Sequence, residues 1–551
     1  MYRKIELRSL TLRELIDNSV SKFTSYPAVS FVNGNSLTYG ELGKKVDEVS
    51  LLYYSIGLKP GDKIALFSQN MPNWVIAYFA AVAKGLVIVP ILPDFTRQEV
   101  ENVLLHSECK VLVVSNKLRP RVEELELPAL EAKILVNDFS LISGEITQKL
   151  TLSEVNSYLV KEEDVAAIIY TSGTTGRPKG VVLTQKNITF VASKSFSIFP
   201  IDHSDVFLSF LPLSHTYENS IGMLYPIMYG ASINFLEKPP TASSLIPAMA
   251  TIRPTMMLSV PLIMEKLYKS QVKSKFSKSP LSRAIYKTSF FRILIHHIAG
   301  KKLKETFGGR LKFFGIGGAK LDARVERFLK EAGFPYAIGY GLTETAPLIA
   351  GAAPHQTKLQ STGFPLEGVT VKIDNPDKKG VGEIWAKGPN VMREYYKNQN
   401  ATFDVLTQDG WFKTGDYGKL DKKNRLYIKG RLKNMILGAS GENIYPEDIE
   451  SIINNNQYVS ESLVIEEDGF LVAKVILDIE SLEKNIEHIK TIVEEKTEKY
   501  YEWRSNFTKE LNLKLNKVSQ LKRVDIMEVP FEKTASQKIK RFLYTKPIRV
   551  K

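Results

Sequence analysis

The sequence predicts an α/β protein: a large N-terminal domain of layered α/β sheets with a β-subdomain, followed by a small α+β C-terminal domain. Three observations predict it. Strand-length apolar runs alternate with stretches of helical spacing from the N-terminus to Thr345. Residues 368–430 hold β-like runs broken by glycine turns. Past Arg431 come short strands, Lys/Glu-dense helices and a basic tail. At 551 residues the chain exceeds the size at which one core keeps growing, so two domains, 1–432 and 433–551, are expected.

In order, residues 12–23 have helical spacing, and residues 28–32 and 63–67 read as strands. Thr38-Tyr39-Gly40-Glu41-Leu42 opens a helix with a threonine cap. Residues 74–92 are apolar enough to resemble a membrane span. Lys84-Gly85 and Pro90 interrupt them, which predicts a buried helix over 74–83 and a buried strand over 86–91. No transmembrane helix is expected, and Met1-Tyr2-Arg3-Lys4-Ile5-Glu6 has no apolar signal region. The single cysteine, Cys109, excludes an intramolecular disulfide and a multi-Cys metal site. It precedes the run Val111-Leu112-Val113-Val114 and reads as a small core residue. A cytoplasmic location follows as the expectation. Residues 137–154 are polar and irregular, a surface connection.

A buried strand is expected over residues 165–170 and another over 181–183. Between them runs Tyr170-Thr171-Ser172-Gly173-Thr174-Thr175-Gly176-Arg177-Pro178-Lys179-Gly180, with three glycines, four Ser/Thr hydroxyls and two cations. Glycine lets backbone N–H groups approach a ligand closely. Hydroxyls and N–H groups donate to phosphate oxygens, and Lys179 adds a point charge. The pattern is a phosphate cradle. It is not a Walker A loop, which spaces two glycines five apart and ends in Lys-Ser/Thr. A plain polar turn is the alternative, and the density of the stretch weighs against it.

Residues 207–212 read as a strand ending in Leu213-Ser214-His215-Thr216-Tyr217-Glu218. Residues 222–229 read as an apolar helix containing Pro226, and 231–235 as a strand. The formal charge is +14 and unevenly spread: residues 266–304 hold eleven Lys/Arg and no acid. Phe290, Phe291, Ile293 and Leu294 lie among these cations. One reading is a basic amphipathic surface for anionic membrane or for CoA phosphates. The favoured one is a solvated helical hairpin whose apolar side packs on the core, because surface charge runs are common. Nucleic acid is not an expected partner. From Leu311 the α/β pattern resumes with a strand running into Gly317-Gly318-Ala319, a helix over 322–332, and Tyr340-Gly341-Leu342-Thr343-Glu344.

Six stretches, in order, resemble the motifs of the adenylate-forming (AMP-binding) superfamily, which includes acyl-CoA synthetases, luciferases and peptide-synthetase adenylation domains. They are the glycine loop, residues 211–218, residues 340–344, Gly410-Trp411-Phe412-Lys413-Thr414-Gly415-Asp416, residues 429–436, and residues 530–541. The resemblance covers nearly the whole chain. It implies that a carboxylate attacks the α-phosphorus of ATP, releasing pyrophosphate, and that a thiol then takes the acyl group. Such chemistry needs positioning and charge neutralisation rather than a protein nucleophile.

The same resemblance implies roles for individual residues. Thr171, Ser172, Gly173, Thr174, Thr175, Gly176 and Lys179 would hold the β- and γ-phosphates. Glu344, helped by Thr171, would hold Mg²⁺, a hard cation suited to carboxylate and phosphate oxygens. Thr343 would bond the α-phosphate. Gly317, Gly318 and Ala319 would let the purine lie against backbone, and Tyr340 with Gly341 would flank the adenine. Asp416 would accept the ribose hydroxyls and Arg431 would contact ribose or phosphate. His215 would stand between the nucleotide and acyl pockets. Lys538 would bridge the substrate carboxylate and the α-phosphate. The family usually has Gly before this lysine, where this chain has Gln537. Lys433 would be the hinge about which a mobile C-terminal domain swings. Gly438, Ser440 and Gly441 would let the pantetheine of CoA approach.

Leu-Pro-Leu-Ser-His-Thr-Tyr-Glu at 211–218, together with residues 440–446 and 530–534, resembles bacterial long-chain fatty acid–CoA ligases. This implies a fatty acid, ATP and CoA as substrates. Residues 207–218 lack the aspartate with which amino-acid adenylation domains hold a substrate ammonium. Three alternatives stay open: a carrier-protein thiol as acceptor, a medium-chain or aryl acid as substrate, and a non-catalytic binder with the same fold.

Overall fold

The computed structural model describes residues 2–171, 179–268, 288–437, 443–454, 456, 459–477, 498–516, 519–534 and 539–545. Two large sheets share one core. One has eight strands, in the order Glu394–Tyr395, Lys179–Thr184, Val165–Thr171, Val87–Ile91, Lys63–Phe67, Val111–Val114, Ala132–Leu135 and Leu141–Ser143. The other has nine, in the order Phe364–Pro365, Leu348–Ala352, Tyr336–Gly341, Phe313–Ile316, Met256–Ser259, Val206–Ser209, Ser232–Phe235, Pro27–Phe31 and Leu37–Thr38. Both sheets are parallel at their centres, as in the pairs Ile64 to Val111 and Met257 to Phe314. Central parallel strands are covered on both faces, which is why Val87–Ile91 is buried at every position.

The helices Leu12–Lys22, Tyr39–Ser55, Pro72–Val82 and Gln185–Lys194 pack in one core with residues of both sheets, such as Ile64 and Ile233. Side chains alternate along each strand: Phe207 and Met256 enter this central core, while Leu208 and Met257 enter a second core on the outer face of the nine-stranded sheet. Helices Ala242–Ile252, Ser289–Thr306 and Ala323–Glu331 cover that second core. Helix Arg97–Ser107 and Cys109 cover the outer face of the other sheet. Burial pushes the Cys109 thiol up to about 12, so it is inert.

Residues 370–431 form an antiparallel four-stranded sheet, in the order Thr370–Asp374, Gly382–Lys387, Phe412–Leu420, Leu426–Arg431. Beyond it, Val459–Glu467, Phe470–Leu477 and Arg523–Ile526 make a three-stranded sheet with helices Pro446–Asn454 and Glu498–Asn512. Ile449, Val464 and Leu511 are buried in a separate core there. The mixed α/β class read from the sequence is the class observed.

The Thr38 cap is a full capping box: Glu41 Oε2 accepts from the Thr38 N–H at 2.8 Å. The apolar stretch at 74–92 divides into helix Pro72–Val82 and strand Val87–Ile91, and no described helix is long and apolar enough to cross a membrane. Three local readings are corrected. The polar connection at 137–154 carries a short edge strand, Leu141–Ser143, and a capped turn, Leu152–Val155. The helix expected over 222–229 begins earlier, as a wide π-turn, Glu218–Leu224, that runs into Tyr225–Met228, with Pro226 just past the junction. In the basic stretch, helix Ser289–Thr306 does not lay its apolar side on the core. It buries His296, Gly300 and Leu303 and exposes Phe290, Phe291, Ile293, Leu294 and Ile298. Residues 269–287 of that stretch lie outside the described residues.

Candidate active site

Strands Val165–Thr171 and Lys179–Thr184 pair antiparallel, with Thr171 opposite Lys179 and Tyr170 opposite Gly180. The glycine-rich stretch therefore connects two adjacent strands. Ser172, Gly173, Thr174, Thr175 and Gly176 lie outside the described residues, as do Gly438, Ser440, Gly441 and Lys538. Thr171 and Lys179 anchor the two ends of the loop, and both line one large cavity.

All the other residues singled out from the sequence line the same cavity: His215, Gly317, Gly318, Ala319, Tyr340, Gly341, Thr343, Glu344, Asp416, Arg431 and Lys433. The cavity is about 4920 Å³, several times what one drug-sized ligand fills, so it has room for more than one substrate. They come from four parts of the fold. His215 follows strand Val206–Ser209, and Gly317 follows strand Phe313–Ile316. Thr343 and Glu344 form a tight turn after strand Tyr336–Gly341. Asp416 and Arg431 are cross-strand partners in the antiparallel sheet.

Two clusters carry the electrostatics. In the first, Asp416 is almost fully buried and accepts from the Tyr340 hydroxyl at 2.8 Å and from Arg431 Nε at 3.0 Å. Asp416 holds the Arg431 guanidinium even further above its ordinary range, and burial holds the Tyr340 phenol well above its own. Gly415, at φ +68°, turns the strand so that Asp416 faces inward, and its N–H donates to Glu383 Oε1 at 3.2 Å. In the second cluster, Glu344 Oε1 accepts from the Tyr395 hydroxyl at 2.7 Å. Lys179 Nζ lies 4.8 Å from the centre of the Tyr395 ring. Tyr395 thus links Lys179 to the Glu344 carboxylate.

Backbone bonds fix that link. Strand Glu394–Tyr395 pairs with Lys179–Thr184, and the Met392 N–H donates to the Glu344 carbonyl at 2.8 Å. Sequence reasoning missed Tyr395, because it stands 51 residues from Glu344 in a stretch with no recognised motif.

The glycines have distinct reasons. A Cβ on Gly341 would sit 1.6 Å from the Pro347 carbonyl oxygen, which no side chain allows. A Cβ on Gly317 would meet the Tyr217 ring at 3.1–3.4 Å, so the ring closes over that backbone. Gly318 has φ +85°. The His215 Nδ1 accepts from the Tyr217 N–H at 3.3 Å, which in a neutral ring places the proton on Nε2. Nearby, Glu218 is 2% exposed and lines the cavity. Burial pushes its carboxyl up to about 8, and its Oε2 has no hydrogen-bond partner among the described residues.

No group of three or more His, Cys, Asp or Glu side chains that could hold a metal occurs among the described residues. The donor set nonetheless fits a magnesium ion, which takes one or two carboxylates and completes its shell with water and substrate phosphate. Glu344 would supply the carboxylate, and Thr343 and Thr171 line the same cavity.

Comparison with known proteins accords with this geometry. Residues 16–396 match the model of a family described as "AMP-binding enzyme". The chain is 30% identical over 498 residues to the long-chain-fatty-acid–CoA ligase heimdall of Drosophila melanogaster, covering 80% of this chain and 72% of that one. It is 29% identical over 493 residues to fatty acyl-CoA synthetase A of Dictyostelium discoideum, covering 81% and 73%. Among solved structures, ATP-bound MatB from Rhodopseudomonas palustris superposes with a TM-score of 0.76 at 23% identity, over 97% of this chain and 98% of that one. O-succinylbenzoate CoA synthetase from Bacillus subtilis, in complex with its acyl-adenylate intermediate, gives 0.74 at 23% identity, over 96% and 97%. The last two establish likeness of fold.

Proposed function

Because the chain belongs to the AMP-binding enzyme family, we propose that it joins a fatty acid, long-chain by preference, to CoA at the expense of ATP. The observation that carries the reading is the convergence of the Asp416–Arg431–Tyr340 and Glu344–Tyr395–Lys179 clusters on one cavity. One presents acceptors and a ring to a nucleoside; the other presents a carboxylate and a cation to its phosphates.

In this reading a carboxylate oxygen of the fatty acid bonds to the α-phosphorus, and the bond from that phosphorus to the bridging oxygen breaks, releasing pyrophosphate. Asp416 holds the ribose hydroxyls, while Tyr340, Gly341, Gly317, Gly318 and Ala319 bracket the adenine. Thr343 steadies the α-phosphate. Lys179, with Thr171, Ser172, Gly173, Thr174, Thr175 and Gly176, holds the β- and γ-phosphates that leave. Lys538 neutralises the approach of two anions, a term that is large when donors are positioned in advance. Magnesium, held by Glu344 and Thr171, would supply charge neutralisation on the phosphates. The CoA thiol then displaces AMP from the acyl carbonyl, with Gly438, Ser440 and Gly441 leaving space for the pantetheine. His215 marks the border between nucleotide and acyl compartments.

The same reading divides the chain at residues 432 and 433. Residues 1–432 bind nucleotide and acid, and residues 433–551 turn about Lys433 between the two half-reactions. We further infer a cytoplasmic location, in which residues 266–304 would make peripheral contact with anionic membrane. The test is AMP release with palmitate, ATP, magnesium and CoA, run beside Lys538→Ala. The expected result is AMP matched by thioester in the wild type, with adenylation reduced on the order of a hundredfold or more in the variant. Unchanged adenylation in the variant would refute the role given to Lys538. No AMP with any medium- or long-chain acid would refute the reading as a whole.

A further inference from the structure

We propose that Glu450 is a positioning residue for Lys538: through Arg541 it fixes the chain from which that lysine leaves, and so serves the adenylating half of the reaction and not the thioester half. This rests on the role given to Lys538 above. Residues 535–538 lie outside the described residues. The chain on either side of them is held closely.

The two flanks are tied to each other. Lys533 and Ile539 pair in an antiparallel bridge. The Lys540 N–H donates to the Glu532 carbonyl at 2.8 Å, and the Glu532 N–H donates to the Tyr544 hydroxyl at 2.8 Å. The Phe531 and Tyr544 rings meet edge to face with 5.2 Å between their centres, and Phe531 is 3% exposed. Ile539 packs against a small core of Leu463, Ile465 and Val472.

Both flanks are also tied to strand Val459–Glu467. Lys533 pairs with Glu461. Arg541 is held at two points: Nη2 donates to Glu450 Oε2, and Nη1 donates to the Val464 carbonyl at 3.2 Å. The other carboxylate oxygen, Glu450 Oε1, accepts from the Val464 N–H at 2.7 Å. Glu450 thus fastens helix Pro446–Asn454, the middle of the strand and the chain after Lys538 in one ring of bonds. It is 9% exposed, and burial holds its carboxyl above the ordinary range, with the Arg541 charge the largest opposing influence. A carboxylate buried at such a cost depends on its partner.

The chemistry explains the need for such a clamp. A lysine is a point charge on a flexible four-carbon stem, so its backbone must be held if the charge is to be placed. Neighbouring Cα atoms are about 3.8 Å apart, so holding Ile539 confines Lys538. A misplacement of about 1 Å can cost roughly a hundredfold in rate. Glu450, Lys533, Ile539 and Arg541 line the same cavity as Glu344 and Asp416, so the clamp stands beside the site it serves. Displacement of AMP by the CoA thiol brings no carboxylate up to a phosphate and makes no demand on Lys538.

The experiment uses the full-length protein and the variants Arg541→Lys, Glu450→Gln, Lys538→Ala, Lys538→Ala/Arg541→Lys and Glu467→Gln. Arg541→Lys keeps a cation opposite Glu450 but loses the planar fork that also reaches Val464. Adenylation is read as palmitate-dependent ATP–pyrophosphate exchange, and the thioester step as palmitoyl-CoA formed from added palmitoyl-adenylate and CoA. Arg541→Lys and Glu450→Gln are expected to lose about tenfold or more in the kcat of exchange, with the thioester step within about twofold of wild type. The combined variant should exchange no more slowly than Lys538→Ala, because nothing remains to be positioned. Glu467→Gln breaks the pair that the same strand makes with Arg523 and should exchange as wild type. Arg541→Lys exchanging at the wild-type rate overturns the proposal, and decides it alone if Glu450→Gln is insoluble. So does an equal loss in both half-reactions, an equal loss in Glu467→Gln, or a further tenfold loss in the combined variant. Failure of the underlying reading looks different: Lys538→Ala would itself exchange at the wild-type rate, and the proposal would fall with it.

Discussion

Tyr395→Phe separates the two contacts that join Lys179 to Glu344. The variant keeps the ring beneath Lys179 Nζ at 4.8 Å and deletes only the hydroxyl that donates to Glu344 Oε1 at 2.7 Å. Tyr395 is 6% exposed, so water does not readily replace the lost donor. A hydrogen bond to a carboxylate contributes about 1.5–3 kcal/mol net, which corresponds to roughly ten- to hundredfold in an equilibrium constant. On the proposed role of Glu344 as a magnesium ligand, losing the group that orients its carboxylate has a similar effect on metal affinity. The expected outcome is a rise of about tenfold or more in the magnesium concentration giving half-maximal ATP–pyrophosphate exchange, with the folding midpoint nearly unchanged. Manganese binding in the presence of ATP, followed by its paramagnetic signal, should weaken by the same factor. Tyr395→Leu, which also removes the ring, should in addition raise the ATP requirement. An unchanged magnesium midpoint in Tyr395→Phe would refute the claim that this hydroxyl positions Glu344.

Three other outcomes are expected. Asp416→Ala leaves the Tyr340 hydroxyl and Arg431 without their shared acceptor; a loss of about 2 kcal/mol, discounted because Arg431 is partly exposed, raises the ATP KM about 30-fold. Steady-state kinetics with varied ATP check it. Glu218 has its folded-state carboxyl raised from 4.5 to about 8, so the native state holds the proton more tightly and wild-type stability falls as pH rises through that window. Glu218→Gln removes that titration, and urea midpoints of the two proteins should diverge in favour of the variant between about pH 5 and about pH 8; parallel midpoints would contradict it. Gly341→Ala forces a Cβ to 1.6 Å from the Pro347 carbonyl, which should destabilise the fold by more than about 3 kcal/mol and appear as a lowered Tm or insoluble protein.

Local patterns carried much of the architecture. The capped start at Thr38, the buried strand Val87–Ile91 and the paired strands flanking the glycine-rich stretch are each specified by a few adjacent residues. That Tyr340, Glu344, Asp416 and Arg431 belong to one cavity was legible through motifs, because they stand in short stretches with fixed order. Their mutual contacts were not. Asp416 meets Tyr340 across 76 residues and Tyr395 meets Glu344 across 51, and no periodicity reports such distances. Gly341 reads from its motif as a neighbour of adenine, yet its own packing against Pro347 already forbids a side chain. The basic helix was misjudged for a related reason. Apolar residues occur all round Ser289–Thr306, so the pattern gave no single inward face, and the ties of Arg292 and His296 to Glu331 decided which side turned in.

The account stands most directly on how acyl-chain length and acceptor govern thioester formation. With ATP, magnesium and CoA, acids of increasing length should give AMP and acyl-CoA in equal amounts, with kcat/KM rising from short to long chains. A holo carrier protein should be a poor substitute for CoA. AMP or adenylate without an acyl-CoA product, or a clear preference for the carrier thiol, would contradict it.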